Sequence, residues 1–463
     1  ESARMYGLRA KAERNTVLCV ESALAEYQPE LLEYYDLFYL DLGYGKKNID
    51  LSRLKERILT LSEDNVNPKN SFLGLNGANL YRMTTVQCVV DEYELATDYQ
   101  GEAFVRQAVE SMKEEVPYDI AQTFSSAAQE VHKLETVAEN PEQMIEDAKV
   151  KIAEERTKKS EENPQQPLQK VENPVEFAET LKTSGILAKV VENADQLSVK
   201  GINPIDSLET RHRQCGTKQE ISGSKIYEKA AYQMYLQKHF GSYTKSLENR
   251  ILDYEMEYLI AGKATDQENL ESVVKRLLAL REATNFMSLT MDPVKSSDAY
   301  TVALLLVGFT GNEGIIEMAK YGVMAAWAYA ESILDVKTLL SGGKIAMIKT
   351  GNEWTTDIFH LAESYENAGK AKTCENGFDY TAYLQTFLSL ENQEQLNYRA
   401  LNLMEKNIRL FSGNENLCMD SMTQKFTVSV AYETYPIFFR MVTIGNIQND
   451  AYHFVRKQEA SYI

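Results

Sequence analysis

The sequence predicts a predominantly helical α+β fold with a small antiparallel sheet, and three patterns support this prediction. Helix-forming residues fill the first 28 positions, with Gly7 as the one weak helix former. Apolar residues recur every three or four positions through most of residues 227–411, as they do in packed helices. Apolar and polar residues alternate at 426–433 and at 86–90, as in half-buried strands. Because these stretches lie near opposite ends of the chain, the predicted sheet is formed by the N- and C-terminal regions.

The long N-terminal helix predicted for residues 1–28 has two different halves. Its second half carries an apolar stripe at helical spacing, which we expect to pack onto the body of the protein: Val17, Val20, Leu24 and Tyr27. The first fourteen residues carry four basic and two acidic groups, a net charge of +2, which leaves −21 on the remainder of a chain whose total is −19. If this basic start is the continuation of a membrane helix, we expect residues 1–14 to contact the body little.

A basic helix start on an acidic body has two interpretations. Charge alone favours an ordinary solvated helix start, because four basic residues are a weak signal for lipid binding. The alternative is a membrane-proximal anchor formed by Glu1, Arg4, Arg9 and Lys11, in which Arg4 and Arg9 extend toward lipid headgroups.

The first part of the body is predicted to mix helix and strand. Pro29 interrupts the first helix, and the dense aromatic run that follows is interpreted as core and ends in a turn at Gly43 and Gly45. A short helix is predicted from residue 48, a strand within 79–95, and a helix over 101–116 that Pro117 stops.

Residues 119–226 differ in composition from the rest of the chain. They hold two aromatic residues, whereas the chain average of 10% would give about eleven, so we do not expect them to build a core. We predict polar helices at 120–138 and 142–158 and a poorly ordered linker at 160–174. A long solvated arm is the preferred interpretation, and a partner-binding coiled coil is the alternative.

A helical block is predicted from residue 227 onward. It begins with tyrosine-rich helices at 227–240 and 247–260, and Thr265 and Glu268 form a capping box for the next helix. Residues 302–309 and 315–340 are the most apolar segments and are expected to lie at the centre of the block. The Ser-Gly-Gly-Lys sequence at 341–344 lacks the spacing of a phosphate-binding loop and is interpreted as a helix C-cap.

The C-terminal part returns to the sheet. Helices are predicted at 380–388 and 393–411, the clearest strand at 426–433, and partner strands at 437–443 and 452–462. We therefore divide the chain into an anchor-proximal helix and aromatic turn, the first part of an α+β body, a polar helical arm, a helical block and the second part of the body: residues 1–45, 46–118, 119–226, 227–370 and 371–463.

Composition and motifs exclude several kinds of function. The pI near 4.9 argues against nucleic acid as a partner, because binding to phosphates requires a basic surface. Five scattered cysteines do not form a disulfide framework, and no apolar stretch is long and uncharged enough to span a membrane. The start at Glu1 instead of Met suggests a trimmed chain, so we do not expect the targeting segment within it.

No catalytic, cofactor-binding or metal-binding residue is predicted. His212 and Cys215 could begin a zinc site, but a second pair of ligands is lacking. Asp253, Glu255 and Glu257 alternate along a predicted helix, which spreads them around its circumference, so we interpret them as a solvated face.

The chain also resembles known bacterial families. Glu1-Ser2-Ala3-Arg4, the polar helix and ELLEYYDLFYLDLGYG resemble the segment that follows the transmembrane helix in TadE/TadG-like, pseudopilin-like proteins of tight-adherence loci. Residues 1–45, 95–113, 257–286 and 326–349 resemble an uncharacterised domain family of clostridial-type bacteria. The first resemblance implies a chain outside the cell, held by a transmembrane helix that would precede Glu1.

Two functions follow as hypotheses. The favoured one is the extracellular part of a membrane-anchored surface or pilus-assembly protein, with the membrane and other pilin-like or secretion-system proteins as partners. The alternative is an extracellular enzyme whose site is assembled from distant residues. A pocket with converging titratable groups in contrasting environments would favour the enzyme.

Overall fold

A computed structural model describes residues 2–67, 79, 81–113, 141–162, 172–183, 185–217, 226–435 and 451–462. The first half of these ranges contains α1 Ser2–Leu24, α2 Pro29–Tyr35, β1 Leu40–Asp41, α3 Leu51–Val66, β2 Met83–Leu95, α4 Glu102–Ser111, α5 Pro141–Glu162, α6 Pro174–Lys182 and α7 Ile186–Val190. The second half contains α8 Ile226–His239, α9 Glu255–Ala261, α10 Asp266–Met291, α11 Pro293–Val307, α12 Glu313–Leu340, α13 Leu361–Ala368, α14 Tyr380–Leu390, α15 Gln393–Ile408, β3 Met422–Thr434 and β4 Tyr452–Ser461. The fold is α+β and mostly helical, as predicted.

The sheet joins the two ends of the chain. β3 lies in the middle and pairs antiparallel with β2 along one edge, and with β1 and β4 along the other. The register places Cys88 opposite Val430 and Arg456 opposite Val430 on the other side, so one β3 residue is flanked from both edges. The predicted strands at 79–95, 426–433 and 452–462 are confirmed, while the strand predicted at 437–443 lies outside the described residues.

One face of this sheet carries a separate small core. The alternation that predicted β3 directs four fully buried side chains to that face: Phe426, Val428, Val430 and Tyr432. They pack with apolar residues of α1 and α3, such as Ala12 and Ile58. Covering an antiparallel sheet on one face in this way removes its apolar side from water.

The larger core lies in the helical block around α12. This helix follows an Asn312 N-cap and ends at Leu340, with Ser341 as its C-cap and then Gly342, whose φ is 84°. The predicted C-cap at 341–344 is therefore confirmed, and so is the capping box of Thr265 and Glu268 at the start of α10. From Gly322 to Val336 every residue of α12 is buried, because α5, α10 and α11 surround it.

Two predictions about the helical block need correction. The segment 302–309 is not buried on every side, because Leu304 and Leu305 are 42% and 49% exposed. α11 packs against α12 through its other face, where Val302, Ala303 and Leu306 are buried. The helix predicted over 247–260 is only the short α9, because residues 249–254 form a loop.

The prediction of a solvated arm is wrong for the parts of 119–226 that the structure describes. α5 lies against α12, where Ile145, Ala148 and Ile152 are buried, and α6 buries Val175 and Ala178. Small residues make this possible without aromatics, because a Cβ on Gly322 would lie 2.1 Å from the Cβ of Ala148. The helix predicted at 142–158 is confirmed as α5; the one at 120–138 and most of the predicted linker lie outside the described residues.

The contact between Gly322 and Ala148 gives a direct test of this docking. A Gly322→Ala substitution should undock α5 and lower the free energy of unfolding by about 1–3 kcal/mol, because the added Cβ would clash with Ala148. This is the opposite of the usual effect, since alanine in place of glycine normally stabilises a helix by ~1 kcal/mol. Limited proteolysis should then cleave α5, for example after Lys149, faster than in the unmodified protein. Gly314→Ala is the matched control, because its Cβ would meet its nearest neighbour at 3.4 Å. Equal cleavage rates in both variants would contradict the docking.

Three further structural findings concern the cysteines and the apolar character of the helices. All five cysteines are free thiols, as expected from their spacing. Cys19, Cys88 and Cys418 are buried among their neighbours, where burial raises the pKa of each thiol. Among the helices described, none combines the length and the apolar character that crossing a bilayer requires.

Candidate functional site

α1 is fixed to the body along its length, which differs from the prediction for its first half. Leu8 and Ala12 are fully buried against the sheet, beside Val20 farther along. Gly7 lies where a Cβ would meet the Tyr81 hydroxyl at 2.6 Å, so this glycine allows the helix to approach the body closely. The expectation that residues 1–14 contact the body little is therefore wrong.

The predicted packing residues lie on the correct face of α1 but differ in burial. Val20 and Leu24 are buried, whereas Val17 and Tyr27 are half-buried. The Tyr27 ring meets the Phe38 ring edge to face at 5.2 Å between centroids. Cys19 and Ala23, which the predicted stripe did not include, are fully buried. Their small side chains let α1 approach the sheet.

The predicted anchor residues are not equivalent. Arg4 donates from Nη2 to the carbonyl oxygen of Tyr81 at 2.8 Å and to the Thr434 hydroxyl at 2.9 Å, so its guanidinium is used by the body. The Lys11 ammonium lies 5.9 Å from the centroid of the Tyr81 ring. Arg9 is exposed, and Glu1 lies outside the described residues. Of the two arginines expected to extend toward headgroups, only Arg9 has its side chain available.

A second candidate site is a cleft where the docked arm meets the helical block. Its volume is about 510 Å³, and it is lined by residues of α5, α6, α7, α10 and α12, including Glu142, Lys182, Lys189, Lys275, Glu282 and Tyr329. We call it the arm cleft. Its walls come from segments far apart in the sequence, so it exists only because α5 and α6 are docked.

The charged groups of the arm cleft occupy contrasting environments. Burial is the largest cause that raises the pKa of Glu282 to about 7; Lys182 opposes the shift and Glu142 adds to it. Burial also lowers the pKa of Lys189. The Lys182 ammonium lies 5.4 Å from the centroid of the Tyr329 ring. The sequence did not indicate Glu282, because the periodicity of α10 reveals only its apolar stripe. It does not show that Glu282, next to the buried Arg281, is buried as well.

The carboxylates predicted to form a solvated face are mostly buried. Glu255 and Glu257 are fully buried, whereas Asp253 is partly exposed. The Glu255 side chain accepts from the amide of Gly241 at 2.8 Å, and the Glu257 side chain accepts from the amide of Tyr243 at 3.0 Å. Each carboxylate thus fixes the loop that precedes α9, which explains why the solvated-face interpretation fails.

A buried ion network joins α10, α12 and the segment after α12. The Arg281 guanidinium donates to Asp335 Oδ2 at 2.9 and 3.1 Å and to the carbonyl oxygen of Met347 at 2.9 Å. The Lys349 ammonium contacts Asp335 Oδ1 at 2.6 Å and also pairs with Glu331. The two positive and two negative charges of the network balance, and all four side chains are buried. We therefore interpret the network as structural.

His212 and Cys215, for which the sequence shows too few ligands for a zinc site, belong to no group of three possible metal ligands in the described part of the chain. The one group there with metal-ligand spacing is Glu405, Cys418 and Asp420. Arg211 already occupies it, donating to Glu405 at 2.6 Å and to Asp420 at 2.6 Å. A guanidinium in this position supplies the positive charge that a metal would bring, so the group does not fit a metal site.

Comparison with known proteins gives one family. A model of a family of unknown function, DUF5702, matches residues 164–434, more than half of the chain. The chain belongs to the DUF5702 family. No curated protein and no solved structure matches it.

The DUF5702 match divides the two candidate sites. It includes most of the arm cleft, with Lys182, Lys189, Glu282 and Tyr329, and also the buried ion network. α1 and Glu142 of α5 lie outside it. The expected membership of an uncharacterised family is confirmed. Of the four resembling blocks, 257–286 and 326–349 lie inside the matched range, whereas 1–45 and 95–113 lie outside it.

Proposed function

We propose that this DUF5702 chain is the extracellular part of a membrane-anchored, pseudopilin-like surface or pilus-assembly protein that acts by packing and interaction. The resemblance of residues 1–45 to the segment that follows the transmembrane helix of pseudopilin-like proteins carries the proposal, and the attachment of α1 determines what such an anchor would do to the body. From Arg4 to Leu24 the helix is held on the sheet by hydrogen bonds and a buried face. A membrane helix continuous with α1 would therefore hold the whole body in a fixed orientation above the bilayer.

The outer face of α1 supports an interaction role. Tyr6 and Leu18 are 80% and 46% exposed on it, near the exposed Arg9 and Arg14. Exposed aromatic and basic side chains next to a bilayer suit headgroups and neighbouring pilin-like or secretion-system subunits. No nucleic acid partner is proposed, because the net charge of −19 opposes phosphate binding.

Fractionation of cells that produce the full-length protein tests the anchoring. We expect the protein in the membrane fraction, retained after a high-salt wash and released by detergent, because burial of a spanning helix is not weakened by salt. Release by salt alone would indicate a peripheral protein held by charge, and recovery in the soluble fraction would contradict the proposal.

The arm cleft favours a second candidate function, an enzyme whose site is assembled from distant residues. A buried acid and a desolvated lysine in one concave site are the features that a catalyst would use for proton transfer. The discriminating observation is chemical change of a bound ligand, followed by NMR over time. Binding without turnover favours the interaction role.

A further inference from the structure

The arm cleft contains a buried carboxyl group that none of the described residues hydrogen-bonds through one of its oxygens. The Glu282 side chain is 9% exposed, and its Oε1 accepts no hydrogen bond from the part of the chain that the structure describes. A buried polar atom that lacks a partner costs free energy, which a ligand that donates a hydrogen bond would recover. Glu282 lines the cleft, so a molecule that enters can reach it.

The groups around Glu282 make this end of the cleft suitable for a cation. Glu282, Glu142 and Tyr329 line the same cleft. Burial is the largest cause that raises the pKa of Tyr329 to about 12, and the charges of the two carboxyls add to the shift. The face of the Tyr329 ring already contacts one ammonium, that of Lys182. A second primary ammonium would find carboxylate acceptors and an aromatic ring there.

Lys189 is the complementary group. It lies half-buried on α7 and lines the same cleft. Within the part of the chain that the structure describes, no carboxylate lies at ion-pair distance from it, whereas Lys275 is paired with Glu271 at 2.6 Å. A desolvated ammonium without a counter-ion suits an anionic group of a ligand. Lys189 and Glu282 belong to different helices, α7 and α10, that line the same cleft.

We propose that the arm cleft binds a small zwitterion, a free amino acid or short peptide, with its ammonium group on Glu282 and its carboxylate on Lys189. The volume of about 510 Å³ lies within the range of small-molecule sites. An amine alone would leave Lys189 unpaired, and a carboxylate alone would leave Glu282 without a donor. This inference is independent of where the protein is located.

Isothermal titration calorimetry with two zwitterions, glycylglycine and γ-aminobutyrate, tests the proposal. We expect at least one of them to bind the unmodified chain at least about 10-fold more tightly than propylamine or butyrate, because each end contributes a charge-assisted hydrogen bond. Binding should release protons near neutral pH, since an ammonium favours ionised Glu282 against the neighbouring Glu142, Lys182 and Tyr329. Titrations in two buffers of different ionisation enthalpy measure that release.

Matched variants assign the two ends. Glu282→Gln and Lys189→Gln should each weaken zwitterion binding about 10-fold or more, and Glu282→Gln should also abolish the proton release. The exposed Glu366→Gln and Lys245→Gln should bind as the unmodified chain does. Should one cleft variant fail to fold by circular dichroism, the other decides. Absence of binding by both zwitterions at ~10 mM, equal binding of propylamine, or unchanged affinity in the folded cleft variants would overturn the proposal.

Discussion

Replacing Arg281 by methionine should lower the free energy of unfolding by about 3–5 kcal/mol, because it leaves buried Asp335 without its main counter-ion. Burial opposes ionisation of Asp335, but Arg281 and Lys349 outweigh it and lower the pKa of this carboxyl. In the variant, Lys349 must balance both Asp335 and Glu331. Chemical denaturation followed by circular dichroism measures the change.

Arg57→Met is the matched control for Arg281→Met. Arg57 pairs with Glu26 at 2.5 Å on the surface, so its loss should cost less than about 1 kcal/mol. Equal destabilisation of the two variants would contradict a buried ion network around Arg281.

A Glu257→Gln substitution should remove one part of the pH dependence of stability between pH 5 and 8, because burial raises the pKa of Glu255 and Glu282 to about 7 as well. Burial is the main cause that raises the pKa of Glu257 to about 7 from 4.5. The amide oxygen of glutamine can still accept from the Tyr243 amide and the Tyr380 hydroxyl, and its NH₂ group replaces the oxygen that has no partner. The variant therefore keeps the contacts and loses the cost of burying a charge.

The raised pKa of Glu257 determines the direction in which stability changes with pH. Between about pH 4.5 and 7 the folded state keeps a proton that the unfolded state has released, so this group makes stability fall as pH rises. Above pH 7 both states are ionised and the loss is complete, at about 3 kcal/mol. Denaturation midpoints should therefore be measured at pH 5, 6.5 and 8. The midpoint of the unmodified chain should fall increasingly below that of Glu257→Gln as the pH rises. The exposed Glu366→Gln should follow the unmodified chain, and parallel curves for all three proteins would refute the assignment.

The sequence predicted the main elements because their periodicity reflects burial. The alternation at 426–433 corresponds to β3, whose inner residues pack on α1, and the capping box at Thr265 marks the start of α10. Sheet pairing between the chain ends was also predictable, since two strands with an apolar face require partners.

The docking of the arm was not predictable from composition. Few aromatics suggested too little apolar surface for a core, but α5 packs through Ala148 against Gly322, where close backbone approach replaces large side chains. Gly322 in the apolar helix α12 was the one sequence feature that indicated a close neighbour. It did not indicate that the neighbour is α5.

Buried charges were likewise beyond the sequence patterns. Glu255 and Glu257 alternate like a solvated face, and their burial depends on loop amides that come from residues 241 and 243. Arg281 and Asp335 are paired across two helices and lie 54 positions apart in the sequence. Glu331 was visible as a charge in an apolar stretch, yet its partner Lys349 lies beyond the helix end.

Protease added to intact cells that produce the full-length protein tests the central claim most directly. We expect the body to be degraded from outside while a cytoplasmic marker protein stays intact, because the proposed membrane helix would place residues 1–463 on the extracellular side. Protection of the body in intact cells, with cleavage only after lysis, would contradict this topology and the surface role that rests on it.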